Sequence, residues 1–87
     1  MYKYRQNSDS KTYIIKDLNT NLYKIGKSKN PKVREKTLQS EKPTYKTVKV
    51  FNKDIEGLLH KNYAQFRVRG EWFDLNKVQI TYICKHY

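Results

Sequence analysis

The sequence predicts one small α/β domain with its elements in the order β-β-α-β-α-(β)-α. Three observations lead there. Two β-rich runs, Lys11 to Lys16 and Leu22 to Gly26, are separated by five residues of turn chemistry. Asparagines at Asn30 and Asn76 stand where helices should start, the first followed at once by Pro31. Apolar residues at Ile55, Leu58 and Leu59 recur at helical spacing. A length of 87 residues, 37% of them hydrophobic, allows one compact core with aromatics supplying much of its area.

Each element has a local reason. Residues 1–10 are polar and basic with no period, and are expected to form a loose arm or an added edge before a single domain over 11–87. Asp17 to Asn21 joins the first two runs as a hairpin. The first helix runs from Pro31 to about Ser40, with Val33, Thr37 and Leu38 expected on its inner side. Pro43 ends the connection, and Thr44 to Phe51 reads as a third strand with Val48 and Val50 on one face. Asp54 is the expected cap of a second helix whose Ile55, Leu58, Leu59 and Phe66 form a core stripe. Arg67 to Gly70 breaks that helix, Glu71-Trp72-Phe73 is a short extended piece, and Asn76 caps a last helix.

Charge is the strongest compositional signal. Lys plus Arg number 19 against 8 Asp plus Glu, a formal net charge of +11. So small a domain cannot bury these groups, and the surface must carry a strong positive potential. A polyanion is the expected partner, because neutralised phosphates release condensed counterions. The alternative is a merely solubilising, lysine-rich surface, and 15 of the 19 basic residues are lysine. Cys84 alone cannot form an internal disulfide and falls in an apolar helical pattern, as a packing residue would. One cysteine and two distant histidines cannot build a structural zinc site. Without a signal peptide or an apolar run near the roughly 20 residues that span a bilayer, the expectation is an intracellular protein, cytoplasmic or nuclear of a host cell, with no membrane partner. The lysine, asparagine and tyrosine bias fits an AT-rich genome such as that of a virus or phage.

The chemistry-bearing residues come in a particular order. Thr12-Tyr13-Ile14 lies on the first strand, Tyr23-Lys24-Ile25-Gly26-Lys27 on the second, and Arg34 follows eight residues after the glycine. Glu56-x-x-x-His60 lies on the second helix, and Gly70-Glu71-Trp72-Phe73 closes the set. Over Tyr13 to Leu75 this order and spacing resembles the GIY-YIG nuclease superfamily, in particular its T5orf172 (MUG113-like) branch. The resemblance implies a three-stranded antiparallel sheet flanked by helices, β-β-α-β-α-α. Two positions depart from the superfamily pattern: Lys11 stands where the first motif has its glycine, and Lys24 where the second usually has its tyrosine, a lysine being common there in this branch.

By resemblance, Tyr13 is the residue that takes a proton from the attacking water. A free phenol near pKa ~10 is a weak base at neutral pH and needs positive help. Strand alternation puts Tyr13 and Ile15 on one face, Thr12 and Ile14 on the other; plain packing in the sheet is the alternative for Tyr13. Lys24 could favour the phenolate from beside it, or simply contact phosphate, and Tyr23 should point to the opposite, core face. Lys27 is a candidate phosphate contact. Arg34 matches the catalytic arginine, whose planar guanidinium suits paired hydrogen bonds to a phosphate; a surface ion pair is its bland reading. The resemblance also implies one helix-borne glutamate holding a divalent cation, Mg²⁺ or Mn²⁺ by the chemistry of a hard oxygen site. Glu56 fits, with His60 one turn later on the same side. Glu71 is the rival, unless it anchors Arg67 or Arg69. His60 could orient water, bind phosphate or serve only structure. Trp72 and Phe73 read as core anchors, His86 as without a role, and Arg67 and Arg69, alternating around Val68, as the lining of a nucleic-acid groove.

The function expected is therefore a metal-dependent endonuclease acting on phosphodiester bonds, with DNA the expected substrate. A non-catalytic nucleic-acid-binding module on the same fold is the alternative, and an assembly protein using its basic face on an acidic partner is a third. No base-reading helix or RNP-type aromatic sheet is present in the pattern, so targeting would fall to a homodimer or a separate partner.

Overall fold

The computed structural model describes residues 10–87, so the expected N-terminal arm lies, except for Ser10, outside the described residues. Strands β1 (Lys11–Asp17) and β2 (Tyr23–Ser28) form the hairpin, followed by α1 (Pro31–Glu41), β3 (Tyr45–Phe51) and α2 (Glu56–Asn62). A 3₁₀ turn at Ala64–Phe66 leads into β4 (Arg67–Arg69), β5 (Trp72–Phe73) and α3 (Lys77–His86). Asp17 organises the hairpin turn. Its carboxylate accepts from the Asn19 amide and the Thr44 hydroxyl, and Asn21 takes the left-handed conformation (φ 62°). Asn76 caps α3 through a reciprocal pair with Gln79, 2.8 Å in each direction. Asn30 precedes α1 as expected, with Pro31 in its first turn, but its side chain makes no capping bond.

The sheet has five strands, not three, in the order β3-β1-β2-β5-β4, every pairing antiparallel. The two extra strands are the segments read as a helix break and an isolated extended piece. Gly70, at φ +49°, turns the chain between them. The resulting short hairpin docks on the outer edge of β2, with Tyr23 opposite Phe73 and Lys24 opposite Trp72. Two- and three-residue strands carry too little periodic pattern to announce themselves as sheet.

Alternation of side chains along β1 and β2 divides the interior into two layers. One face carries the main core of Ile14, Tyr23, Ile25, Phe51 and Phe73, which packs with Leu59 of α2 and Ile80 and Ile83 of α3. The other carries a smaller cluster of Tyr13, Ile15 and Leu38 from α1, with Tyr45 against it. The expected sidedness of Tyr13, Ile15 and Tyr23 is what the structure has. Several expected core positions are not core. Val33 of α1 is 58% exposed and Leu58 of α2 is 49% exposed, and Thr37 is also exposed. Leu38 is the residue α1 buries, the helix otherwise meeting the sheet through polar groups such as Glu35 with Thr47, and α2 stops at Asn62, leaving Phe66 to the 3₁₀ turn. Among the described residues no helix is long and apolar enough to cross a membrane.

Candidate functional site

Tyr13 lies opposite Gly26 in the β1–β2 register, so both face α1. The phenol lies across the glycine. A Cβ built on Gly26 would sit 2.6 Å from Tyr13 Oη, 2.7 Å from its Cζ and 3.1 Å from Glu71 Oε1. Gly26 does not have the positive φ that favours glycine, so its requirement is space. The absent side chain leaves room at one point for a phenol oxygen and a carboxylate oxygen.

Arg34 approaches the same phenol from the first turns of α1, near enough for its guanidinium to favour the phenolate. Burial pushes the Tyr13 phenol above its ordinary value; the Glu71 and Glu56 charges push the same way, against the influence of Arg34. The cation beside the phenol is thus Arg34. Lys24, expected to tune Tyr13, instead pairs with Glu71 at 3.5 Å and lies 5.7 Å from the Trp72 ring centroid.

Glu71 sits in the β4–β5 turn, and its carbonyl accepts from Ile25 N at 3.0 Å. Pairing between β5 and β2 ends there, although β2 continues to Ser28. Past that point no strand among the described residues covers the outer edge of β2, and groups from the two layers can meet. Glu56, first residue of α2 on the opposite layer, lies near enough to Glu71 at this edge for the Glu71 charge to raise its proton affinity. Burial raises the Glu56 carboxyl above the usual range, His60 draws it down, the Glu71 charge raises it, and Lys27 draws it down. The two glutamates that the sequence set up as rivals are neighbours. Two half-buried carboxylates are a donor set that fits a hard divalent cation keeping several waters, as Mg²⁺ does. Among the described residues, no group of three or more His, Cys, Asp or Glu side chains gathers to hold one more completely.

His60 lies beside Glu56, as its one-turn spacing required. Its Nε2 donates to Ile25 O at 2.8 Å, and its ring meets Phe73 edge-on at 4.9 Å. Lys27 points away from the phenol, to the α2 side, and pairs with Asp54 at 3.5 Å. Arg67 and Arg69 do not line one groove together. An irregularity between them sets Arg67 opposite Phe73 and Arg69 opposite Trp72, on different faces of the sheet. Trp72 is half-buried, its ring 5.3 Å from Tyr45, while Phe73 is fully buried.

One supporting residue escaped the sequence reading. Thr12, completely buried, donates from Oγ1 to Lys53 O (3.0 Å) and accepts there from Ile55 N (2.8 Å). It fastens the entry of α2 to β1 and so sets where Glu56 begins. A threonine in an otherwise apolar β-run was the available signal.

An antiparallel sheet layered by helices thus gathers a phenol, a guanidinium and two carboxylates at one strand end. The chain belongs to the T5orf172 domain family, whose family model matches residues 5–87, and that domain is associated with GIY-YIG-like nuclease-type domains. No curated protein and no solved structure matches the chain.

Proposed function

We propose that this protein is a metal-dependent endonuclease of the GIY-YIG type that hydrolyses phosphodiester bonds in DNA. One observation carries the reading: Tyr13 Oη and the Glu71 carboxylate converge over Gly26, with Arg34 beside the phenol and Glu56 near Glu71. Arg34 is exposed and has five N–H donors, so it can hold the phenol and still offer hydrogen bonds to a phosphate oxygen. That position stabilises negative charge as the phosphorus becomes five-coordinate. Glu56 and Glu71 are the residues that would hold Mg²⁺ or Mn²⁺, which would supply a polarised water and charge neutralisation for the leaving oxygen. Arg34 favours the phenolate, and Tyr13 Oη takes the proton of the attacking water. The water oxygen bonds to phosphorus as the phosphorus–oxygen bond of the leaving strand breaks. His60 orients the edge through Ile25 O and biases Glu56 towards its charged form.

The second reading, a nucleic-acid-binding module without catalysis, is favoured by the resting phenol, which burial holds protonated, and by the pairing of Lys24 with Glu71. One experiment separates them: nicking of supercoiled plasmid in Mg²⁺, Mn²⁺ or EDTA, with Arg34→Ala beside the unaltered protein. Metal-dependent nicking that falls by about 10²–10³ in the variant, with an unchanged melting temperature, supports the nuclease. DNA binding that is equal in metal and chelator, with no nicking, leaves the binding module.

A further inference from the structure

The clearest cavity near the site that plays no part in the mechanism above lies beside it, around the start of α1. It has a volume of about 260 Å³ and is lined by Lys11, Lys29 and Lys32, with Asn30 and Asn52 as the other polar groups. No carboxylate lines it, and the first turn of α1 holds no acidic residue. The ion pairs among the described residues are Lys24 with Glu71 and Lys27 with Asp54, so none of these three lysines is neutralised that way. Three ammonium groups around one hollow repel each other, and an anion there relieves the repulsion.

Two elements run from this cavity directly to the site. Lys11 precedes Tyr13 by two residues on the same face of β1, about 7 Å along the strand, which is of the order of the spacing between neighbouring phosphates in a nucleic-acid strand. Lys32 precedes Arg34 in the opening turn of α1, where Arg34 N donates to Asn30 O at 3.1 Å. We infer that the Lys11–Lys29–Lys32 cavity is a subsite for a DNA backbone phosphate next to the one held at Tyr13 and Arg34. It gives the bound strand its register on the protein. Lys11, which stands where the related motif has a glycine, becomes a phosphate ligand of this chain's own. The naming of that phosphate as a neighbour of the cleaved one rests on the nuclease reading; the capture of a backbone phosphate does not.

The test is binding in EDTA, where no cleavage occurs, of a short labelled DNA duplex to the unaltered protein, to K11Q/K29Q/K32Q, and to K61Q/K77Q/K85Q. The last removes the same charge from exposed lysines of α2 and α3. The cavity variant should bind at least about tenfold more weakly, with the slope of log K against log salt shallower by about 0.9 for each phosphate released. The control variant should keep the slope of the unaltered protein. K29Q/K32Q, which alters only exposed side chains, gives the same direction of change if Lys11→Gln disturbs β1. Equal losses in the cavity and control variants, or unchanged binding by the cavity variant, would overturn the inference, as would failure of the unaltered protein to bind DNA. Loss of binding in the cavity variant, with no nicking by the unaltered protein in Mg²⁺ or Mn²⁺, would support the phosphate subsite and remove the nuclease reading instead.

Discussion

Gly26→Ala is the sharpest single perturbation of this site. The added Cβ would lie 2.7 Å from Tyr13 Cζ, where ordinary contact begins at 3.4 Å, so ring and strand must separate by about 0.7 Å or more. The obstacle is an aromatic ring, not the far end of a flexible chain. Tyr13 is 3% exposed and packed with Ile15 and Leu38, so it has nowhere to turn. Overpacking of this kind costs about 1–3 kcal/mol, and for a chain of this size each kcal/mol moves Tm by about 4–8 °C. Thermal denaturation should therefore show a fall of roughly 5–20 °C. Plasmid nicking should fall further than stability explains, by about 10²-fold, because the phenol leaves its position relative to Arg34 and Glu71. In a Tyr13→Ala background, which removes the ring, the same alanine should cost little. The difference between backgrounds measures the contact, and about 0.5–3 kcal/mol of coupling is expected. A Gly26→Ala protein that melts within about 0.5 kcal/mol of the unaltered one and nicks at the same rate would refute the account of the site.

The other predictions separate local from site chemistry. Gly57 lies in α2 with no atom within 4 Å of where a Cβ would sit, so Gly57→Ala should stabilise by about 0.5–1 kcal/mol through helix propensity alone; a lower Tm would contradict this. The Glu56 carboxyl titrates above its ordinary 4.5, so in the folded protein its protonated form is favoured. Its stabilising contribution is fully present below pH 4.5 and is lost as pH rises through the folded value. Glu56→Gln should therefore melt higher than the unaltered protein at pH 7 in chelator, and the advantage should vanish in a melting series taken below the ordinary value. It should also remove any rise in Tm on adding Mg²⁺, because a ligand that binds only the folded state stabilises it.

What the sequence disclosed depended on how far each residue's partners lie along the chain. The β1–β2 hairpin, the start of α1 and the cap of α3 follow from residues within a few positions of one another, and all are present. Tyr13 facing Gly26 follows from alternation once the hairpin is accepted. The β4–β5 hairpin does not follow, because its strands are too short for periodicity and its partner, β2, lies more than 40 residues earlier. Glu56 and Glu71 read as alternatives for the same reason. One starts a helix on one layer, the other ends a turn at the sheet edge, and only the end of β5 at Trp72 brings them together. Lys24 was legible as a cation facing the site, but its choice of Glu71 over the phenol depends on that turn.

The placement of the acidic residues is itself an argument about function. This chain has only 8 carboxylates against 19 basic side chains, so nearly any position would give a glutamate a cationic neighbour. Asp54 pairs with Lys27, Asp17 organises a turn, and Glu35 accepts from Thr47 of β3. Glu56 and Glu71, in contrast, are set against each other in a half-buried position beside a buried phenol. There each raises the proton affinity of Tyr13, and Glu71 raises that of Glu56. Like charges brought together out of water oppose folding, and a lysine-rich chain had every means to avoid the arrangement. Lys24 offsets part of the charge on Glu71, while burial continues to disfavour the charge on Glu56. With Arg34 and Lys24 set against Glu56 and Glu71, the site is left close to neutral at the centre of a strongly positive domain. A polyanion alone would be drawn to the lysines and repelled from these carboxylates. A phosphate bound with a divalent cation satisfies both, and this favours the nuclease over the simple binding module.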